Sequence, residues 1–254
     1  MKTTDVNQLK KRAARLRMYG LVENWEKFGA QTWMTELIEA EEVERARRSR
    51  EYRIRQAKIS KFKDRVDFDW AHPASIEREQ IEELFSLQFI VDGQNVVFLG
   101  PNGVGKTMLA ANLAQTAVES GVSTRYTTAS DMLNDLASFD GSVLRNRMRR
   151  YISPQLLVVD ELGYLSYGNR HGDLLYEVVS RRYESQAPII VTTNKPFAQW
   201  NTVFEGSSCV STMVDRLCHR VEIVQIDGES YRRIEGQKRS NVRRKSRKPV
   251  TKTK

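Results

Sequence analysis

Gly100-Pro-Asn-Gly-Val-Gly-Lys-Thr107 comes after the short apolar run Asn95-Val-Val-Phe-Leu99 and precedes Met108-Leu-Ala-Ala-Asn-Leu-Ala-Gln-Thr-Ala-Val118. The pattern G-x-x-x-x-G-K-[ST] thus stands between a strand and a buried helix, the order a phosphate-binding loop requires. Glycines 100, 103 and 105 let successive backbone N–H groups converge on an anion, and the adjoining helix aims its positive end at the same point. Lys106 is expected at the β- and γ-phosphates and Thr107 on Mg²⁺. The candidate nucleotide contacts are Gly100, Pro101, Asn102, Gly103, Val104, Gly105, Lys106, Thr107 and Met108.

Further along, Leu156-Leu-Val-Val-Asp160-Glu161 reads as a buried parallel strand ending in two acids. Carboxyl ends of such strands face the ligand, so Asp160 falls where the second Mg²⁺ contact belongs. By strand alternation Glu161 points to the opposite face, where it can orient or deprotonate an attacking water, which implies hydrolysis. Pro188-Ile-Ile-Val-Thr-Thr-Asn194 is another buried strand. If it lies between the strands serving Lys106 and Asp160, Asn194 sits near the γ-phosphate and can hold that water. Arg216 and Arg220 close a helix before the last strand and project away from their own phosphate loop. They suit a finger that completes a neighbouring subunit's site, with Arg181 and Arg182 as further candidates.

A chain of 254 residues can bury a full α/β core with a smaller helical piece beside it. It contains no apolar run of membrane-spanning length and no hydrophobic leader, so a soluble, cytoplasmic protein is expected. Cys209 and Cys218 support neither a disulfide framework nor a zinc site. The net charge of +9 is unevenly spread: residues 232–254 hold eleven Lys and Arg against Glu235, and Arg45 to Arg65 holds ten against Glu51 and Asp64. Both blocks suit a polyanion, most simply nucleic acid.

Leu9 to Phe28 reads as one or two short helices, 32–65 as one long charged helix, 67–73 as a linker and 75–91 as a helix capped by Ser75. Strands are expected at 95–99, 124–128, 155–160, 188–193 and 222–226, with helices between them at 130–137, 141–151, 172–184 and 208–219. This alternation requires a parallel sheet of five strands with helices on both faces. The expected division is a helical domain over 1–66 for DNA binding and oligomerisation, an ATPase domain over 67–231, and a basic, disordered tail over 232–254.

These residues resemble the IstB-like ATP-binding proteins of insertion sequences, relatives of the DnaC helicase loaders within the AAA+ superfamily of P-loop NTPases. The likeness is carried by Phe98-Leu-Gly-Pro-Asn-Gly-Val-Gly-Lys-Thr107, Val159-Asp-Glu-Leu-Gly-Tyr164, Ser180-Arg-Arg-Tyr-Glu184, Val191-Thr-Thr-Asn194 and Asp215-Arg-Leu217. It implies that Gly103, Gly105, Lys106 and Thr107 form Walker A, Asp160 and Glu161 Walker B, Asn194 sensor 1, and Arg216 with Arg220 the box VII arginines. It also implies ATP and Mg²⁺ as cofactors, ATP-bridged homo-oligomers on double-stranded DNA, target-site choice and stimulation of a partner transposase. A replicative helicase loader is the alternative; a small-molecule kinase is disfavoured by the Asp-Glu pair and the basic tail. The 28 residues after Ile226 are too few and too basic for the usual helical lid, so a lid-free AAA+ core is expected, with Phe68 and Trp70 considered for the adenine side.

Overall fold

The computed structural model describes residues 6–59 and 62–237. The chain divides into two compact units, Met1–Arg55 and Gln56–Lys254. In the first unit α1 (Val6–Arg15), α2 (Tyr19–Glu23), α3 (Trp25–Phe28) and the start of α4 (Met34–Ala57) enclose a small core. Leu9 and Ala13 lie four apart on one face of α1 and, with Leu16 just beyond its end, are buried with Met34 and Ile38. Arg12 grips Glu42 through two hydrogen bonds of 2.9 and 2.7 Å, which hold the Glu42 carboxyl below the usual carboxylate range.

Beyond Ile38, α4 is kept helical by ion pairs one turn apart, Arg45 with Glu41, Arg48 with Glu44 and Arg47 with Glu51. It stops at Ala57, eight residues before the expected end at Arg65, and Lys58 takes up a left-handed φ of 56°. The expected helix over 75–91 is likewise divided, into α5 (Arg78–Leu84) and α6 (Gln88–Val91), by Leu87 at φ 63°. Ser75 caps neither: its backbone pairs with Asp227 instead.

The second unit is built on β1 (Asn95–Leu99), β2 (Thr124–Thr128), β3 (Leu156–Leu162), β4 (Ile189–Thr193) and β5 (Val221–Gln225). They form one parallel sheet in the order β2-β3-β4-β1-β5, so β4 does lie between the strands that serve Lys106 and Asp160. Alternate residues feed two cores, one on each face. Val96, Phe98, Val158, Ile190 and Val224 pack with α7 (Lys106–Glu119) and α5. Val97, Leu157, Val159 and Val191 pack with α8 (Ala129–Ala137), α9 (Gly141–Ile152), α10 (Asn169–Glu184), α11 (Trp200–Val203) and α12 (Val210–Cys218). Among the described residues no helix is long and apolar enough to cross a membrane.

The sheet is irregular at the acidic end of β3. The β3–β4 register runs Val159↔Val191 and then Leu162↔Thr193, so Asp160 and Glu161 together stand opposite Thr192 alone. This β-bulge puts Glu161 at φ 61° and breaks the simple alternation expected from the sequence.

After β5 the residues 231–237 are helical, where the charge pattern predicts disorder from 232; the rest of that segment, 238–254, lies outside the described residues.

Candidate functional site: a nucleotide cradle at the carboxyl ends of the strands

The loop from Gly100 to Thr107 leaves β1 and enters α7. Gly105 has φ 105°, and a Cβ there would come within 2.5 Å of the Phe68 ring, so only glycine fits. Lys106, 3% exposed, donates from Nζ to the carbonyls of Gly100 and Pro101, each at 2.7 Å. Burial lowers its pKa to about 8, and the nearby positive charge of Arg232 adds to this, against the pull of Asp160 and Glu161.

Asp160 is buried and accepts three hydroxyl hydrogens: from Thr107 at 3.0 Å and Thr192 at 2.5 Å on Oδ1, and from Tyr126 at 2.5 Å on Oδ2. Burial and the adjacent carboxylate raise the Tyr126 pKa, so the phenol stays a donor. The Thr107 hydroxyl and the Asp160 carboxylate form a pair of hard oxygen donors. That donor set fits Mg²⁺, which takes one or two protein oxygens and completes its shell with phosphate and water. Glu161 lines the same cavity as Lys106 and Thr107, contrary to the opposite-face expectation, because the bulge resets its direction. Asn194 comes directly after β4 but does not line this cavity, and among the described residues its buried Oδ1 has no hydrogen-bond partner.

The cavity, about 360 Å³, continues from the loop to the segment 62–73 and to Tyr231, Arg232 and Glu235. Asn112 of α7 fixes the first of these walls, accepting from the Arg65 N–H and donating to the Lys63 carbonyl, both at 3.0 Å. The second wall is tied down where the Tyr231 N–H donates to Gly103 O at 3.0 Å and the Tyr231 ring meets His72 edge-on. Phe68 lines the cavity, whereas Trp70 does not: it packs against Phe68 and lies under the Arg78 guanidinium.

Arg216 and Arg220 are at the other end of the sheet. Asn95, the first residue of β1, donates its N–H to the Arg220 carbonyl at 2.7 Å, whereas the phosphate loop begins after Leu99. A strand of that length separates the two ends by roughly 13 Å. Arg220 is exposed; Arg216 is stacked over Tyr176 and Tyr183. Arg182 cannot serve as a finger. It is 0% exposed, and its guanidinium donates to the carbonyls of Tyr151, Ile152, Pro154, Gln155 and Pro188. Arg181 pairs with Glu177.

The family of IstB-like ATP binding proteins matches residues 8–240, spanning both compact units. The chain belongs to that family. Two curated relatives are similar over most of their length. The ATP-binding protein of insertion sequence IS5376 from Geobacillus stearothermophilus is 39% identical over 197 residues, 77% of this chain and 78% of that one. That of IS21 from Pseudomonas aeruginosa is 33% identical over 211 residues, 82% and 78%. Among solved structures, DnaI aligns with TM-score 0.54 at 18% identity, over 64% of this chain and 90% of that one. The DnaC helicase loader aligns with TM-score 0.51 at 20% identity, over 63% and 96%. At such identities the likeness is one of fold alone: a parallel sheet with helices on both faces and a phosphate loop after β1.

In this IstB-like chain the motifs mark the phosphate end of the cavity and leave its other walls unmarked. Tyr126 and Thr192 carry no motif signal, since hydroxyls on strands are common. Tyr231 and Arg232 belong to a segment whose charge reads as a tail. One signal does point to them: Asp227-Gly228 marks a chain reversal directly after β5, which turns the residues beyond it back over the loop.

Proposed function

We propose that this protein is an ATPase that assembles through its nucleotide sites on duplex DNA and assists a transposase in choosing and using target sites. The observation that carries the ATPase reading is the gathering of Lys106, Thr107 and Glu161 around one cavity, with Asp160 directly behind Thr107. In this reading Lys106 leaves its two loop carbonyls and neutralises the β- and γ-phosphates. Thr107 and Asp160 would hold a Mg²⁺ that supplies charge compensation between those phosphates. Glu161 accepts a proton from the attacking water, and Asn194, at the end of β4, would accept the water's other hydrogen once its side chain turns toward the cavity. Phe68 and Tyr231, which line the same cavity, would hold the adenine.

Arg220 lies at the far end of the sheet from its own Lys106, so it can meet developing phosphoryl charge only in a second copy. That requirement couples hydrolysis to assembly. The transposase role is supported by the names of the relatives, which place them in insertion sequences; the helicase-loader alternative has a likeness of fold behind it. Duplex DNA is the polyanion that suits the two basic segments. The test is ATP hydrolysis by the purified full-length chain, measured with and without duplex DNA of unrelated sequences. Stimulation by every duplex is expected, and turnover that is absent or indifferent to DNA would sink the reading.

A further inference from the structure

We propose that Thr192, assisted by Tyr126, is a positioning residue that sets Asp160 and Glu161 relative to each other; the proposal rests on the ATPase reading above. Its basis is the bulge, in which two acidic residues of β3 face the single residue Thr192 of β4. The Thr192 hydroxyl serves both. A backbone N–H can only donate, so the 2.9 Å contact from Glu161 N makes the hydroxyl oxygen the acceptor. Its own hydrogen then goes to Asp160 Oδ1 at 2.5 Å. From the other neighbouring strand, Tyr126 on β2 donates to Oδ2 at 2.5 Å.

A carboxylate gripped at both oxygens cannot turn about its terminal bond, so the lone pair on the Thr107 side keeps its direction. Glu161, meanwhile, is held at φ 61°, which non-glycine residues avoid unless their surroundings enforce it. Thr192 is 0% exposed, directly after Ile189, Ile190 and Val191 in the strand. Valine would match its shape and suit that core better; the hydroxyl is explained by the two acids it joins. Neither Thr192 nor Tyr126 lines the cavity, so both act through Asp160 and Glu161.

Thr192→Val, Thr192→Ser and Tyr126→Phe in the full chain separate this role from simple satisfaction of buried groups. Mn²⁺ affinity, read by electron paramagnetic resonance with ADP present, is the first measurement; kcat and KM for ATP on duplex DNA are the second. Partners that orient metal ligands typically contribute 10–100-fold, so Thr192→Val should weaken Mn²⁺ binding by about 10-fold and lower kcat by about 10- to 100-fold. KM should stay within about 3-fold, and Thr192→Ser should recover most of both losses. Tyr126→Phe should weaken Mn²⁺ binding with a smaller effect on kcat, because Glu161 keeps its bond to Thr192. Wild-type Mn²⁺ affinity and kcat in Thr192→Val, or a serine variant no better than valine, overturn the proposal. Should Thr192→Val fail to fold, Tyr126→Phe decides through Mn²⁺ affinity, since it removes one hydroxyl and no other volume. A wild-type chain without any hydrolysis would instead defeat the ATPase reading, and the Mn²⁺ affinities would still judge this one.

Discussion

The Thr107 hydroxyl reaches Asp160 Oδ1 across 3.0 Å although β4 separates the strand before Thr107 from the strand that carries Asp160. Crossovers over both faces of the sheet bring the two strand ends together, and Glu161 enters the same place beside Asp160. Glu161→Gln leaves this oxygen pair intact, so nucleotide binding should persist. Loss of a general base lowers turnover by about 10²- to 10⁴-fold. ATP-bound assemblies should accumulate in size-exclusion chromatography, and hydrolysis at the wild-type rate would remove Glu161 from the chemistry.

Lys106 provides a pH test. Its buried ammonium has a pKa lowered to about 8 and therefore loses its charge as pH rises through that value. A bound polyphosphate favours the charged form and raises the pKa again. Nucleotide affinity should thus be flat below pH 7 and decline above pH 8, and binding at pH 8.5 should take up roughly 0.7 proton per nucleotide. Calorimetry in two buffers of different ionisation enthalpy measures this uptake. Lys106→Arg, charged throughout, should show none.

Arg220→Ala should bind ATP as a monomer and fail to hydrolyse it. A finger acting between subunits contributes about 10³- to 10⁵-fold in rate. Mixed with Lys106→Ala, which lacks the phosphate cation but keeps its finger, activity should reappear, because one kind of interface then combines an intact loop with an intact Arg220. No recovery in mixtures that demonstrably co-assemble would reject the trans role and turn attention to Arg216.

Two truncations separate the nucleotide site from the basic end of the chain. Removing 238–254 deletes nine Lys and Arg and should flatten the slope of log DNA affinity against log salt, by about 0.9 for each phosphate no longer neutralised. Nucleotide affinity should be unchanged. Removing 230–254 should weaken nucleotide binding as well, since Tyr231 and Arg232 line the cavity. Equal nucleotide affinity in the two truncated proteins would show that this wall contributes nothing.

Arg182→Ala should destabilise the protein rather than alter its chemistry. Its guanidinium ties the carbonyls of Tyr151, Ile152, Pro154 and Gln155 to that of Pro188, and burial has lowered its pKa to about 9. Leaving those acceptors unpaired should cost about 3–5 kcal/mol, read as a lower denaturation midpoint. Stability equal to wild type would mean water replaces the guanidinium.

The alternation of strands and helices, the phosphate loop, the acidic end of β3 and the place of Arg220 at the far end of the sheet were legible in the residues themselves, because each is a local pattern. Apolar runs report burial, and Gly-x-x-x-x-Gly-Lys-Thr reports a backbone that must curl around an anion. The end of α4 at Ala57 was not legible, since the charged and polar residues after it suit helix and loop alike and it is Asn112 that holds Lys63 and Arg65 off the helical course. Nor was the break at Leu87, which falls in a run, Leu84 to Val91, whose residues suit a continuous helix. The bulge opposite Thr192, the inward turn of Glu161 and the return of Tyr231 and Arg232 over the loop exist only in the folded chain. They depend on which strands become neighbours and on where a short chain reversal lands. Composition made Arg182 and Arg220 look alike; packing buried one beneath five carbonyls and left the other exposed at the edge of the sheet.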